Sequence, residues 1–160
     1  MKDDEKDDTG DQPSVLLKKS QFLVENKAAF RKPAFLYSMA LELPPVEHVS
    51  RKAISHDGKL IAGGGNGVIF IWNLEDGQQL QKIEGEFGSV NGIDFSPDDS
   101  LLVSGTDDGI VRIWDTSSGE LSKSLTGHDS QIADVCFSPD GQSIASGAVN
   151  DASIRIWGLP

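Results

Sequence analysis

The sequence lacks the features that would place the chain in a membrane or an oxidising compartment. No apolar run approaches the roughly 20 residues that a helix needs to cross a bilayer, and the N-terminus MKDDEKDD has no apolar signal-peptide stretch. Cys136 has no second cysteine with which to form a disulfide, and no Asn-x-Ser/Thr site occurs. These absences favour a soluble cytoplasmic or nuclear protein.

Basic residues are also scarce, since 14 Lys and Arg stand against 25 Asp and Glu, for a net charge of −11. Direct nucleic-acid binding is not expected, because phosphate backbones favour dense Lys and Arg. His48, His56 and His128 are scattered and Cys136 stands alone, so no metal-ligand spacing occurs. The expected partners are neutral or basic proteins and peptides, without a metal or cofactor.

Charge and apolar content divide the chain into three segments. Residues 1–12 carry six acids, two lysines and almost no apolar side chain, which is typical of a disordered acidic tail. Residues 13–34 are basic, with apolar clusters about seven residues apart, as on one face of a short helix that Pro33 would end. This segment is a helix packed on its own domain, an arm for a partner or membrane surface, or disordered. Residues 35–160 contain a repeat.

The repeat is marked by Trp72, Trp114 and Trp157, which lie 42 and 43 residues apart. They end the similar phrases VIFIW, IVRIW and SIRIW, and upstream of these lie ISHDGKLIAGG, FSPDDSLLVSG and FSPDGQSIASG. A period of this length indicates a supersecondary unit that stacks on copies of itself. The repeats span about residues 46–84, 85–126 and 127–160.

Short apolar runs between turn residues predict four β-strands in a complete repeat. In the second repeat these runs are Val90–Ser96, Leu101–Gly105, Ile110–Asp115 and Glu120–Leu125. Asn66-Gly67 and Asp108-Gly109 predict two-residue hairpins of type I′.

Three phrases carry a family resemblance: Gly127-His128, FSPDG at residues 137–141, and Trp114-Asp115. They resemble the WD-repeat family of β-propellers. The resemblance implies an all-β, propeller-type array of three four-stranded antiparallel blades within residues 35–160.

His128, Ser146 and Asp151 are the residue types of a hydrolase triad. The second repeat has Ser104 and Asp108 in these columns but Glu86 in place of the histidine, so a catalytic reading would require degraded copies. The resemblance implies instead a buried hydrogen-bond network and no enzyme activity. Its residues are His128, Ser146, Asp151 and Trp157, with Ser104, Asp108, Trp114 and Trp72 at matching places in the other repeats.

The strand count leaves the third repeat one strand short. Gln78–Ile83 and Glu120–Leu125 supply an outer strand to the first two repeats, and the strand-like Phe35–Leu43 stands where another outer strand is expected. Three blades do not easily surround a channel, and an open arc exposes two apolar faces. Three arrangements remain open: a homodimer that closes a six-bladed ring by exchanging Phe35–Leu43, part of a longer propeller, and an arc shielded by the N-terminal segment.

The function implied by the resemblance is a non-catalytic scaffold that binds proteins or peptides through blade loops. The alternative is a truncated or regulatory propeller portion of a larger enzyme or assembly protein. With the strands of a blade labelled a to d, the expected docking surface carries the b-to-c hairpins and d-to-a connections. Its candidate residues are Glu86, Phe87, Ser89, Asp107, Asp129, Ser130, Gln131, Val149 and Asn150.

Two features of this surface predict the partner's chemistry. Phe87 is predicted to be an exposed aromatic anchor, and the alternative is a buried loop plug. Glu86, Asp107 and Asp129 favour ligands rich in Lys or Arg through electrostatic complementarity.

Overall fold

The computed structural model describes Leu43 and residues 49–159, and these residues contain ten β-strands and no helix. The strands are β1 (Arg51–Ile54), β2 (Leu60–Gly64), β3 (Asn66–Asn73), β4 (Gln79–Phe95), β5 (Leu101–Thr106), β6 (Val111–Asp115), β7 (Leu121–Leu125), β8 (Ile132–Phe137), β9 (Ser143–Ala148) and β10 (Ile154–Gly158). The all-β fold class expected from the sequence is confirmed. No described segment is a helix long and apolar enough to span a membrane.

The strands form three antiparallel meanders, which we call blades 1, 2 and 3. Blade 1 consists of β1, β2, β3 and the first part of β4, blade 2 of the second part of β4 with β5, β6 and β7, and blade 3 of β8, β9 and β10. β4 is 17 residues long because residues 79–84 pair with β3 and residues 90–95 pair with β5. This strand therefore joins the outer edge of blade 1 to the inner edge of blade 2.

The observed strands of blade 2 begin and end within one residue of the predicted runs. The predicted hairpin type is wrong. Gly67 and Gly109 have φ of 68° and 77°, but neither Asn66 nor Asp108 has a positive φ, which a type I′ turn requires at both positions. Asp108 instead accepts a hydrogen bond from the N–H of Ile110 at 3.2 Å, an Asx turn that needs no left-handed aspartate.

Each blade carries apolar side chains on both faces, because successive residues of a strand point to opposite sides, and blade 2 is packed on both. We call the side toward the next blade along the chain the trailing face, and the other side the leading face. On β5, Leu102 packs on the leading face against blade 1 and Val103 packs on the trailing face against blade 3, both 0% exposed. The core therefore consists of two hydrophobic clusters, one at each junction between neighbouring blades.

Glycines bring the blades close together at both junctions. A Cβ on Gly64 of blade 1 would lie 2.5 Å from Val90, and one on Gly105 of blade 2 would lie 2.3 Å from Ile132. These distances are shorter than packed atoms tolerate, so each glycine admits a branched side chain from the next blade.

Blade 3 has three described strands, in the order β10-β9-β8, and β10 has no partner on its other side among the described residues. The predicted outer strand Phe35–Leu43 lies outside the described residues except for Leu43, which is in no strand. The acidic tail (1–12) and the basic segment (13–34) also lie outside them.

Candidate binding face and its supporting network

Four side chains of blade 3 form one chain of hydrogen bonds. Trp157 Nε1 donates to Ser146 Oγ at 2.8 Å, and Ser146 Oγ lies 2.8 Å from His128 Nε2. His128 Nδ1 lies 2.8 Å from Asp151 Oδ2. Proton donation runs in one direction, from tryptophan to serine to histidine to aspartate, when the histidine proton is on Nδ1. The network ties the b and c strands and the b-to-c hairpin to the loop that enters blade 3.

Serine, histidine and aspartate in this order could form a catalytic triad, but the surroundings of Ser146 do not suit a nucleophile. Ser146 is 2% exposed, and its oxygen already accepts the indole N–H of Trp157. A nucleophilic serine needs access to substrate on the side away from its base. The arrangement therefore satisfies buried polar groups, including an indole N–H that would otherwise be costly to bury.

Asp151 is held as a carboxylate by its neighbours. Hydrogen bonds from Ser153 and then from His128 hold the pKa of Asp151 well below its ordinary value, against the opposing effect of partial desolvation. The turns at the other end of the blades behave similarly. Bonds from Ser96 and Ser100 lower the pKa of Asp98 to about 2, and bonds from Lys59 and Ser55 do the same for Asp57.

We expect the free energy of unfolding to fall as the pH is lowered from about 4 toward 2. A carboxyl whose pKa is lower in the folded state stabilises the fold above its unfolded pKa of 3.8, and that stabilisation is lost as the pH falls through the folded pKa. Urea unfolding followed by tryptophan fluorescence between pH 2 and 5 measures this slope. Asp98→Asn should make it shallower, and a flat profile in the parent protein would contradict the expectation.

Blade 2 builds the same position differently. Trp114 Nε1 donates to Ser104 Oγ at 2.9 Å, but no histidine follows. Phe87 lies beside Trp114, with ring centroids 6.1 Å apart and planes 57° apart, nearly as for His128 and Trp157 at 6.2 Å and 64°. The aromatic ring therefore takes the histidine's place, although simple alignment assigns that column to Glu86. Gly88, at φ 70°, accompanies this shift of one residue, which the sequence did not reveal.

Arg112 completes the blade 2 site. Its Nη2 lies 2.6 Å from Asp108 Oδ2, and its guanidinium carbon lies 5.4 Å from the ring centroid of Phe87. Thr106 Oγ1 also donates to Asp108 Oδ1 at 2.6 Å. An ion pair and a cation–π contact thus occupy the place of the histidine network.

Blade 1 lacks the polar network among the described residues. Gly63 stands at the serine position, and the buried Trp72 Nε1 has no hydrogen-bond partner within residues 49–159. Phe70 stacks on Trp72 at 5.3 Å. A Cβ on Gly63 would lie 2.9 Å from the Trp72 ring, so the glycine allows the indole to pack directly against β2 at the cost of its hydrogen bond.

The predicted docking residues lie at the end of the blades that carries the b-to-c hairpins. In blade 2, Ser89 N–H donates to Asp107 Oδ2 at 3.1 Å. In blade 3, Val149 N–H donates to Gln131 O at 3.0 Å and Asn150 N–H donates to Ser130 Oγ at 3.1 Å. The structure therefore brings each hairpin onto the loop that enters its own blade.

The two blades meet at this end as well. A Cβ on Gly109, in the blade 2 hairpin, would lie 2.9 Å from Ser130 O in the loop that enters blade 3. The hairpin and that loop therefore form one continuous surface. Its exposed members are Glu86, Asp107, Asp129, Gln131, Val149 and Asn150, while Ser89 and Ser130 are half-buried.

Phe87 is not part of this surface, and the prediction of an exposed anchor is wrong. The residue is 3% exposed and belongs to the cluster between blades 1 and 2. It is the buried plug of its loop, because the space beside Trp114 that holds a histidine in blade 3 is filled here by its ring.

Asp107 supplies a fixed negative charge on the exposed surface. Asn91 Nδ2 donates to its carboxylate at 2.7 Å, and this bond, followed by that from Ser89 N–H, lowers the pKa of Asp107. Within residues 49–159 no three His, Cys, Asp or Glu side chains come together as a metal site. The surface therefore offers hydrogen-bonding groups and negative charge.

Comparison with known proteins identifies the repeat. The sequence profile described as "WD domain, G-beta repeat" matches residues 44–73, 77–115 and 119–158. The chain is 40% identical to Protein ROOT INITIATION DEFECTIVE 3 of Arabidopsis thaliana over 58 residues, which are 36% of this chain and 13% of that protein. The solved structure of U3-55K superposes with a TM-score of 0.66 at 28% identity, over 73% of this chain and 36% of that one. The chain thus spans only a minor part of both proteins.

Proposed function

The chain belongs to the WD40 family of WD-repeat proteins, whose repeats generally serve protein interaction, and from this premise we propose that it is a non-catalytic scaffold for basic proteins or peptides. We call the exposed end formed by Glu86, Asp107, Asp129, Gln131, Val149 and Asn150 the hairpin face. The ligand is a Lys- or Arg-rich segment that lies across blades 2 and 3.

The observation that carries the proposal is the distribution of charge on the hairpin face. Glu86, Asp107 and Asp129 are all exposed and form no ion pair within the described part of the chain, while Arg112 is paired with Asp108. Acids without a neutralising partner attract a basic ligand and raise its rate of association.

The second support is the rigidity of the hairpin face. The Asp107 carboxylate is fixed by Asn91 and Ser89, and the blade 3 loop is fixed through His128 and Asp151. A face whose groups are already ordered loses little conformational entropy when a ligand binds. The network is in this proposal a support for the binding surface, and it performs no chemistry.

Charge reversal tests the proposal. We expect Glu86→Lys with Asp129→Lys to weaken binding of fluorescent Lys- and Arg-rich peptides by at least about tenfold in anisotropy titrations, because two attractive charges become repulsive. Binding by the parent protein should also weaken as salt is raised.

The matched control is Glu75→Lys with Glu120→Lys. It makes the same change in net charge on the c-to-d turns at the opposite end of the blades. Equal losses in the two double variants would show a general charge effect, and a parent protein that prefers acidic or neutral peptides would overturn the proposal.

A further inference from the structure

Blade 3 has an exposed apolar trailing face, although the corresponding faces of blades 1 and 2 are fully packed. Ile154 and Ile156 are 80% and 68% exposed. The residues that match Ile154 by repeat position are Ile69 and Val111, both 0% exposed. Cys136, on the same face, is exposed as well. The next blade along the chain covers the trailing face of blade 1 and that of blade 2, whereas no described residue covers the trailing face of blade 3.

Gly147 is the most informative residue of this face. It matches Gly64 and Gly105, whose lack of a side chain leaves room for Val90 and Ile132 of the next blade. A Cβ on Gly147 would meet nothing within 4 Å. Gly147 faces Ile154 in the β9–β10 register, so the open space lies beside the most exposed isoleucine. Gly147 therefore leaves the same room for a side chain as Gly64 and Gly105 do, but no described side chain occupies it.

The repeat also identifies the residue that would fill the space. Val49 precedes β1 at the position that Val90 and Ile132 occupy in blades 2 and 3. Val49 lies on the leading face of blade 1, which no described blade covers. On the same face Ile54 is 59% exposed, whereas Phe95, which matches it in blade 2, is 0% exposed. Phe70 and Trp72, farther out on this face, are already buried, so its free part lies along β1.

A charged residue stands on the free part of the leading face of blade 1. Lys52 stands on the leading face of blade 1 where the packed junctions have Ile93 and Val135. Asp134 of blade 3 matches Arg51, whose Nε reaches across the first junction to Asn91 O. The Asp134 carboxylate itself accepts a hydrogen bond from the N–H of Val135 and lies beside Gly92 of blade 2, so Lys52 enters the new junction as a charge among apolar residues.

We propose that the trailing face of blade 3 binds the leading face of blade 1 of a second copy of the chain, with Val49 seated on Gly147. Two such junctions related by a twofold axis close a homodimer with six blades. The polar Lys52 makes these junctions weaker than the apolar junctions within the chain, because burying a charge is costly.

The first measurement is the mass of the full chain by light scattering over a range of concentrations. The proposal expects a mass that rises with concentration to about twice the 17.2 kDa of one chain. A mass of one chain at every concentration overturns it, as does open-ended growth without a dimer.

Two glycine variants decide which surface is used. Gly147→Val should weaken dimerisation by at least about tenfold, because the added methyls overpack the new junction. Gly158→Val is the comparison at the far end of the same strand, since Gly158 also has nothing within 4 Å of its Cβ but matches Asn73 and Asp115, the last residues of β3 and β6, and no close-approach glycine. Neither change should alter the unfolding of the monomer. Equal weakening by the two variants would contradict the seating of Val49 on Gly147, and unchanged dimerisation of Gly147→Val overturns the proposal.

A cross-link tests the direction of docking. Cys136 matches Asp94, whose carboxylate accepts a hydrogen bond from Phe137 N–H across the second junction, and Phe137 matches Ile54. Oxidised Ile54→Cys protein should therefore form disulfide-linked dimers, whereas the parent protein with Cys136 alone should not. Dimers of the parent through Cys136 would indicate docking of two identical faces and contradict the arrangement.

Discussion

Replacing Phe87 with alanine is expected to lower the free energy of unfolding by about 3–5 kcal/mol. The ring is 3% exposed, lies 6.1 Å from Trp114, and forms one side of the cluster between blades 1 and 2. Removal of the ring leaves a cavity and also removes the surface over which the Arg112 guanidinium lies.

Denaturant unfolding followed by tryptophan fluorescence measures this loss, and Glu86→Ala is the control. Glu86 is the exposed neighbour of Phe87, and its truncation should change the stability by no more than about 0.5 kcal/mol. An unchanged unfolding midpoint for Phe87→Ala, together with loss of peptide binding, would restore the interpretation of Phe87 as an interface anchor.

Replacing Ser146 with alanine is expected to cost about 1–3 kcal/mol for the buried histidine that loses its partner, and a further amount up to the same size for the half-buried indole. Those groups are the Trp157 indole N–H and His128 Nε2, each 2.8 Å from the serine oxygen. The removed hydroxyl leaves little volume to fill, so the loss comes from unsatisfied polar atoms.

Ser104→Ala is the graded comparison for this experiment. The equivalent serine of blade 2 satisfies Trp114 alone, so its loss should cost about half as much. Ester hydrolysis assayed in parallel should stay at the buffer rate for the parent protein and both variants. Equal stability losses in the two variants would contradict the additional role of His128.

Much of the fold could be predicted because the same pattern of turns and apolar runs occurs in three successive repeats. The period of the tryptophans, the turn residues and the alternation of apolar side chains each depend on local geometry, and the strands of blade 2 lie within one residue of the expected positions. The prediction failed at hairpins such as Asp108-Gly109, where a carboxylate bonded to its own turn replaced a second left-handed residue.

The binding residues were less predictable, as Phe87 shows. Whether an aromatic residue in a loop points to solvent or into a junction depends on the space that another blade leaves open. In blade 2 that space exists because no histidine fills it, and the shift of one residue at Gly88 lets the ring enter. The missing histidine is visible in the sequence, but the shift that brings Phe87 into its place is not.

By itself the sequence determined the repeat, its strands, the columns of the hydrogen-bond network and the excess of negative charge, because these depend on spacing and on residue type. Only the tertiary structure decided which groups of those columns meet, which loop residues are exposed, and that Gly147 has open space where Gly64 and Gly105 have none. The reason is that burial belongs to pairs of surfaces distant in the chain, and a single blade does not specify what packs against it.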